Sequence, residues 1–291
     1  MEFSSGLFLN AIIAGLLLGG FYAAVSVGIS ISFGMLDVVN IAHPGFIILG
    51  AYIAYIVNSL FGFDPIVVAL ALSPLFFLLG MALYRIYYVC FEMRGQDSLR
   101  GLAFFFGILF ITEVTLILTF GVDYRTVQTI YSDTTWRLGE LDFPLRLVVP
   151  FAVSMAMLGG LHLLFTRTFF GRAVLAVAQD QLALRLMGVD PIRIKTFAFA
   201  LSIATAGVAG AFLIVIQPVE PSIGREYIGL AFAVCVLGGL GSLTGTLLGA
   251  FVLGLAESFT ATFFGPSWAP AVSFGLLLLA LAFRPAGLFG R

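Results

Sequence analysis

The chain has 291 residues, 61% of them hydrophobic and only 10% charged, with a net charge of −1. Soluble domains carry about 25% charged residues, so this composition excludes a soluble globular protein and points to a polytopic membrane protein. A balance so close to neutral leaves no electrostatic footprint for nucleic acid. Cys90 and Cys235, each solitary in or beside an apolar run, imply neither a disulfide framework nor a metal site.

A spanning helix needs about 20 mostly apolar residues. In chain order the candidates are 7–33, 43–61, 65–90, 101–121, 146–165, 197–217, a glycine-broken stretch at 228–262, and 268–283. These eight segments predict an all-α membrane bundle, a single transmembrane domain over 1–291. The first segment has no basic flank and outruns a signal-peptide core, so it is read as a mature span. Between the first two lies "FGMLDVVNIAHPG", rich in helix breakers, with Asn40 and His43 inside it. Broken helices at membrane depth are tolerated beside cavities or buried in protein. Asn40 and His43 therefore have two readings, satisfying freed backbone groups or lining a path.

In the fourth segment, Glu113 lies mid-span in "FITEVTLIL". Intramembrane carboxylates are costly and mark function or pairing. One reading is a substrate or proton contact, the other a protonated or paired carboxylate tying helices together. His162 reads as a packing or interface histidine, and Glu257 as a folding or periplasmic contact near the outer end of its helix.

Residues 166–196 hold five of the 14 basic residues, including Lys195, the only lysine. Asp180 can cap a short helix here, Gly188 can end it in the left-handed conformation, and Asp190-Pro191 can start the next. The intervening "QLALRLM" is too short to be stable alone. It is either a solvated turn or a docking element, with Leu184, Leu186 and Met187 expected to be exposed.

The seventh segment carries Gly241, Gly245 and Gly249, and the first carries Gly15 and Gly19. Small residues four apart allow close helix packing in lipid. A hairpin turning near "GGLGSLTG", at Gly239 and Gly241, also fixes the orientation. Basic loops stay cytoplasmic, and with this hairpin ten of the basic residues fall inside and four outside (Arg125, Arg137, Arg146, Arg225). The N-terminus is then outside and the C-terminus cytoplasmic. One broken segment early and one late is a pattern of repeat-built transporters, and Gly239 and Gly241 join Asn40, His43 and Glu113 as candidates to line a translocation path.

Three stretches together resemble the LivH/LivM-type permease family of bacterial ABC importers. They are "GLLLGGFYAAVSVGISISFGMLDVVNIAHPGFIILGAY", "GRAVLAVAQDQLALRLMGVDPIRIKTFAFALSIATAGVAG" and "AVCVLGGLGSLTGTLLGAFVLGLAE". The resemblance implies an inner-membrane subunit carrying branched-chain amino acids. It further implies a second permease, two cytoplasmic ATPase subunits and a periplasmic binding protein as partners. Residues 176–188 would be the coupling helix, with Asp180, Gln181, Leu184, Arg185, Met187 and Gly188 at the ATPase. Pro44 departs from the family's N-x-A-H-G pattern, stiffening the helix start after His43.

The sequence lacks G-x-x-x-x-G-K-[ST], so this chain is not itself the ATPase; the resemblance implies ATP and magnesium on the partner subunits and no cofactor here. No nucleophile–base pairing or H-E-x-x-H occurs, which argues against an enzyme. Rival readings are an ion-coupled carrier using Glu113, a non-transporting scaffold, or an ABC permease for amides, urea or organic acids.

Overall fold

A computed structural model describes residues 5–95, 99–283 and 287. It is a helical bundle in which, among the described residues, eight helices are long and apolar enough to cross a membrane. The order is α1 (Ser5–Ser32), α2 (His43–Phe61), α3 (Pro65–Cys90), α4 (Leu99–Phe120), α5 (Leu145–Arg167), α6 (Phe169–Gln179), α7 (Gln181–Leu186), α8 (Pro191–Ile216), α9 (Gly224–Gly238), α10 (Leu243–Phe263) and α11 (Ala269–Phe283). The predicted segments recur within a few residues, except that α8 starts at Pro191, six residues early. The expected tail arginines Arg284 and Arg291 lie outside the described residues.

Local chemistry sets the helix ends. Asp64 Oδ1 accepts from the Ile66 N–H at 2.8 Å ahead of Pro65, which starts α3. Gly62, at φ 72°, closes α2 through its N–H to the Asn58 carbonyl. Pro44 occupies the first turn of α2, where its missing N–H costs nothing.

Burial identifies the centre. In the most apolar window of α8, 89% of the residues are buried, against only 6% over Pro266–Phe283, the stretch that holds α11. α8 packs against α3, α2 and α1, while α1 packs along α10. Gly15 and Gly19 sit on the backbone of Leu255 and Phe251. Farther along the same interface, Thr246 Oγ1 donates to Ser30 Oγ at 2.9 Å, and Ser258 Oγ donates to the Ala11 carbonyl at 2.8 Å. These contacts run in opposite chain order, so α1 and α10 are antiparallel and their backbones touch.

The glycine-broken seventh segment is a hairpin of two helices, α9 and α10. Gly238 packs against Gly245, and Gly249 against the Val234 carbonyl. Gly241 lies in the turn at φ 80°, where the hairpin was expected to reverse, so of the spaced glycines only Gly245 and Gly249 are helical.

One end of the bundle carries α6 and α7. The other carries a hairpin that the all-helical expectation omitted, strands β1 (Thr135–Leu138) and β2 (Leu141–Pro144) around Gly139. Asn10 pins it to α1, donating to the Glu140 carbonyl at 3.1 Å and accepting from the Asp142 N–H at 2.9 Å.

Candidate translocation and coupling sites

The two broken segments meet. Residues 33–42 leave α1 through Asp37, a non-glycine residue at φ 58°. Gly34 lies directly against Gly241 in the α9–α10 turn. The early and the late break seen in the sequence are thus in physical contact.

Just beyond this junction lies a buried polar layer. His43 is fully buried, and its Nε2 lies 3.1 Å from the Val25 carbonyl of α1. That oxygen can only accept, so Nε2 carries the proton and Nδ1 is left as an acceptor. Gly28 makes the fit possible, because a Cβ there would fall 2.2 Å from the His43 ring. Ser202 Oγ donates to the Gly28 carbonyl at 2.7 Å, joining α8 to the same layer. Asn40 is 2% exposed, and neither its Oδ1 nor its Nδ2 has a partner among the described residues; the same holds for His43 Nδ1. Buried polar atoms are paired in the great majority of cases. With the buried Ser26 Oγ, on the α1 turn between Val25 and Gly28, these atoms are free hydrogen-bonding capacity among the described residues.

Glu113 is tied elsewhere. Its carboxylate takes a two-pronged hydrogen bond from Arg225, with Nε to Oε2 at 3.0 Å and Nη2 to Oε1. The Glu113 side chain is buried, whereas that of Arg225 is 63% exposed at the first turn of α9. In the sequence Arg225 stands out only as a loop charge, and nothing in the spacing ties it to Glu113, 112 residues away.

A third polar place lies around Glu257, a cavity of about 340 Å³ also bordered by Gln217, Glu226 and Tyr227. Tyr22 and Ser273 both donate to the Glu257 carboxylate. Glu257 is therefore held inside the helix bundle by α1 and α11. The five path candidates occupy separate places: Asn40 and His43 in the buried layer, Gly239 and Gly241 in the turn, and Glu113 beside α9.

At the α6–α7 end the predicted caps are present. Asp180 Oδ1 accepts from the Leu182 and Ala183 N–H groups at 2.8 and 3.0 Å. Gly188 sits at φ 79°, with Gly188 N–H to Arg185 O at 2.9 Å and Val189 N–H to Leu184 O at 3.2 Å. This paired closure satisfies the last carbonyls of α7. Two expectations need correction. Residues 176–188 are not one helix, because 176–179 belong to α6 and the chain breaks at Asp180. Leu184, expected to be exposed, is 6% exposed, because α7 lays that side against the chain's own helices. Leu182, Leu186 and Met187 are the exposed ones.

Behind α7 a polar cavity of about 530 Å³ joins Gln181 to Asp37 and to Lys195. Lys195 Nζ lies 2.6 Å from Glu92 Oε1, and Tyr84 donates to Glu92 Oε2 at 2.8 Å. The only lysine thus anchors the base of α8 to the end of α3.

Residues 11–281 match the family described as branched-chain amino acid transport system, permease component. The chain is 30% identical to the high-affinity branched-chain amino acid transport system permease protein BraD of Pseudomonas aeruginosa, over 98% of this chain and 96% of that one. Identity to the corresponding protein LivH of Escherichia coli K12 is 27% over the same shares, and to LivM of that organism 28% over 92% of this chain and 67% of that one. No solved structure matches. The family match over residues 11–281, the near full-length similarity and the eight apolar helices among the described residues agree: this chain is a multi-pass membrane protein belonging to the branched-chain amino acid transport permease family.

Proposed function

We propose that this chain is the permease subunit of an ABC importer for branched-chain amino acids, in the bacterial inner membrane. The near end-to-end similarity to permease proteins of high-affinity branched-chain systems carries the reading. A second permease of the same family completes the path. That Escherichia coli K12 has both a LivH and a LivM supports this partnership. Two cytoplasmic ATPase subunits supply ATP and magnesium chemistry, and a periplasmic protein delivers substrate.

The α6–α7 end faces the cytoplasm in this reading. Basic residues then concentrate inside, and Trp136 and Trp268 fall at the outer interface, where tryptophan is favoured. α7 docks on the ATPase through Leu182, Leu186 and Met187, with Asp180 and Gly188 fixing its ends and Gln181 and Arg185 beside it. A charged side chain such as Arg225, partly exposed beside an intramembrane carboxylate, does not face lipid. The α4–α9 face therefore lines the path or meets the second permease.

The test is reconstitution of this chain with candidate partners, followed by leucine uptake with and without ATP. Uptake that needs ATP and every partner supports the reading. Uptake by the chain alone under a proton or sodium gradient overturns it in favour of a carrier using Glu113.

A further inference from the structure

α3 and α5 do not close over α8. Between them runs an apolar groove of about 720 Å³, continuous with a second cavity of about 370 Å³ through shared Phe77, Leu164 and Leu201. Along α8 the groove spans Phe197 to Val208, roughly 16 Å at a rise of 1.5 Å per residue. That is about half of a 30 Å hydrocarbon core, the depth of one leaflet. The hydroxyls on its walls are already used within their own helices: Ser73 donates to the Leu70 carbonyl and Thr205 to the Ser202 carbonyl. The groove therefore asks nothing polar of whatever fills it.

Its charge lies at one end. On α8, Arg193 is four residues before Phe197, on the same stripe. On α5, Arg167 is three residues after Leu164, again one turn on. On α3, Arg85 is eight residues after Phe77, two turns along the same stripe. All three arginines are exposed, and all three lie toward the α6–α7 end of their helices. Arg193 shares its charge with Asp190 at 3.3 Å. Each of the three walls thus ends in an arginine at the same mouth.

We propose that this groove holds one acyl chain of an anionic phospholipid, with its headgroup phosphate between Arg85, Arg167 and Arg193. The occupant follows from the match of apolar length to one leaflet and from the basic mouth, since basic pockets between membrane helices hold anionic headgroups. A bound lipid here fills the side of α8, the most buried span, where α3 and α5 leave it open.

The test is native mass spectrometry of the purified full chain, titrated with phosphatidylglycerol or phosphatidylcholine of identical acyl chains. Wild type retains phosphatidylglycerol preferentially. Each of Arg85→Gln, Arg167→Gln and Arg193→Gln lowers that preference about fivefold and leaves phosphatidylcholine retention unchanged. Gly160→Leu places a side chain in open space on the groove wall, so it displaces both lipids while the fold is kept. Ala156→Phe, also exposed on that wall, does the same and guards against misfolding of either variant. Equal retention of the two lipids by wild type overturns the proposal. So does loss of a co-purified second permease on filling the groove with lipid retention unchanged, because the groove would then be a subunit interface.

Discussion

Gly34 and Gly241 stand backbone against backbone: a Cβ on Gly34 would fall 2.1 Å from the Gly241 nitrogen, and one on Gly241 2.6 Å from the Gly34 oxygen. The break after α1 and the break between α9 and α10 are thereby one junction. Its neighbours, Ser30 with Thr246 and the Cys235 thiol donating to the Ser26 carbonyl at 3.3 Å, extend the contact into the helices on either side.

Gly241→Ala should therefore destabilise the protein twice over. The residue sits at φ 80°, where a side chain costs about 1–2 kcal/mol, and the new methyl also meets the Gly34 carbonyl. Gly159→Ala is the control, since nothing lies within 4 Å of that position in the interior of α5. It should be neutral or stabilise by up to about 1 kcal/mol. Thermal unfolding in detergent distinguishes the two, and equal melting temperatures would refute the junction.

The pair of Glu113 and Arg225 predicts an order of damage rather than a single loss. Removing one partner of an ion pair hurts most when the charge left behind is buried. Glu113 is the buried member and Arg225 the exposed one. Uptake in the reconstituted system should fall most for Arg225→Ala, less for Glu113→Ala and least for Glu113→Gln, which keeps an acceptor for the guanidinium. The double change Glu113→Gln with Arg225→Gln should cost less than the two single effects combined. A Glu113→Gln that abolishes uptake at normal abundance would instead make Glu113 a direct substrate or proton contact.

Lys195→Met should loosen the α6–α7 end. It strips the Glu92 carboxylate, whose side chain is 16% exposed, of its ammonium partner and leaves the Tyr84 hydroxyl donating at 2.8 Å. Breaking such a pair costs on the order of 3 kcal/mol. Hydrogen exchange should rise in the first turns of α8 and the end of α3 and stay unchanged at the β1–β2 hairpin. Uniform protection across both ends would show that the pair is not an anchor.

The sequence made local features legible and distant ones opaque. Asp180, Gly188 and Asp190 act on backbone groups within a few residues, so their roles could be read from spacing. The partners of Glu92 and Glu113 lie 103 and 112 residues away, and no periodicity points to them. The exposure of Leu184 failed for a related reason. In a six-residue helix with apolar side chains at 182, 184 and 186, only packing against other helices decides which one turns inward. The β1–β2 hairpin had a local signal, alternation around Gly139-Glu140, but it lies in the gap between two apolar segments, where a search for spans finds nothing.

The burial of Leu184 separates two effects that a single substitution would confuse. Leu186 is 82% exposed and Met187 79%, so Leu186→Asp and Met187→Asp change the surface of α7 without disturbing what holds it. If α7 docks in a desolvated ATPase groove, the new carboxylate would be buried unpaired, at a cost on the order of 2–5 kcal/mol when burial is complete. ATPase co-purification should then drop roughly 30- to 4000-fold, at 1.4 kcal/mol per tenfold, with the melting temperature of the isolated chain unchanged. Leu184→Ala works from the other side. It removes packing beneath α7, costing about 2–5 kcal/mol if the site does not collapse, and should loosen α6–α7 before it affects the partner. Pull-down of the ATPase subunits alongside thermal unfolding of the isolated chain tells the two apart. If Leu186→Asp and Met187→Asp both retain the ATPase at wild-type levels, α7 is a solvated turn, and coupling runs through another part of this end of the bundle.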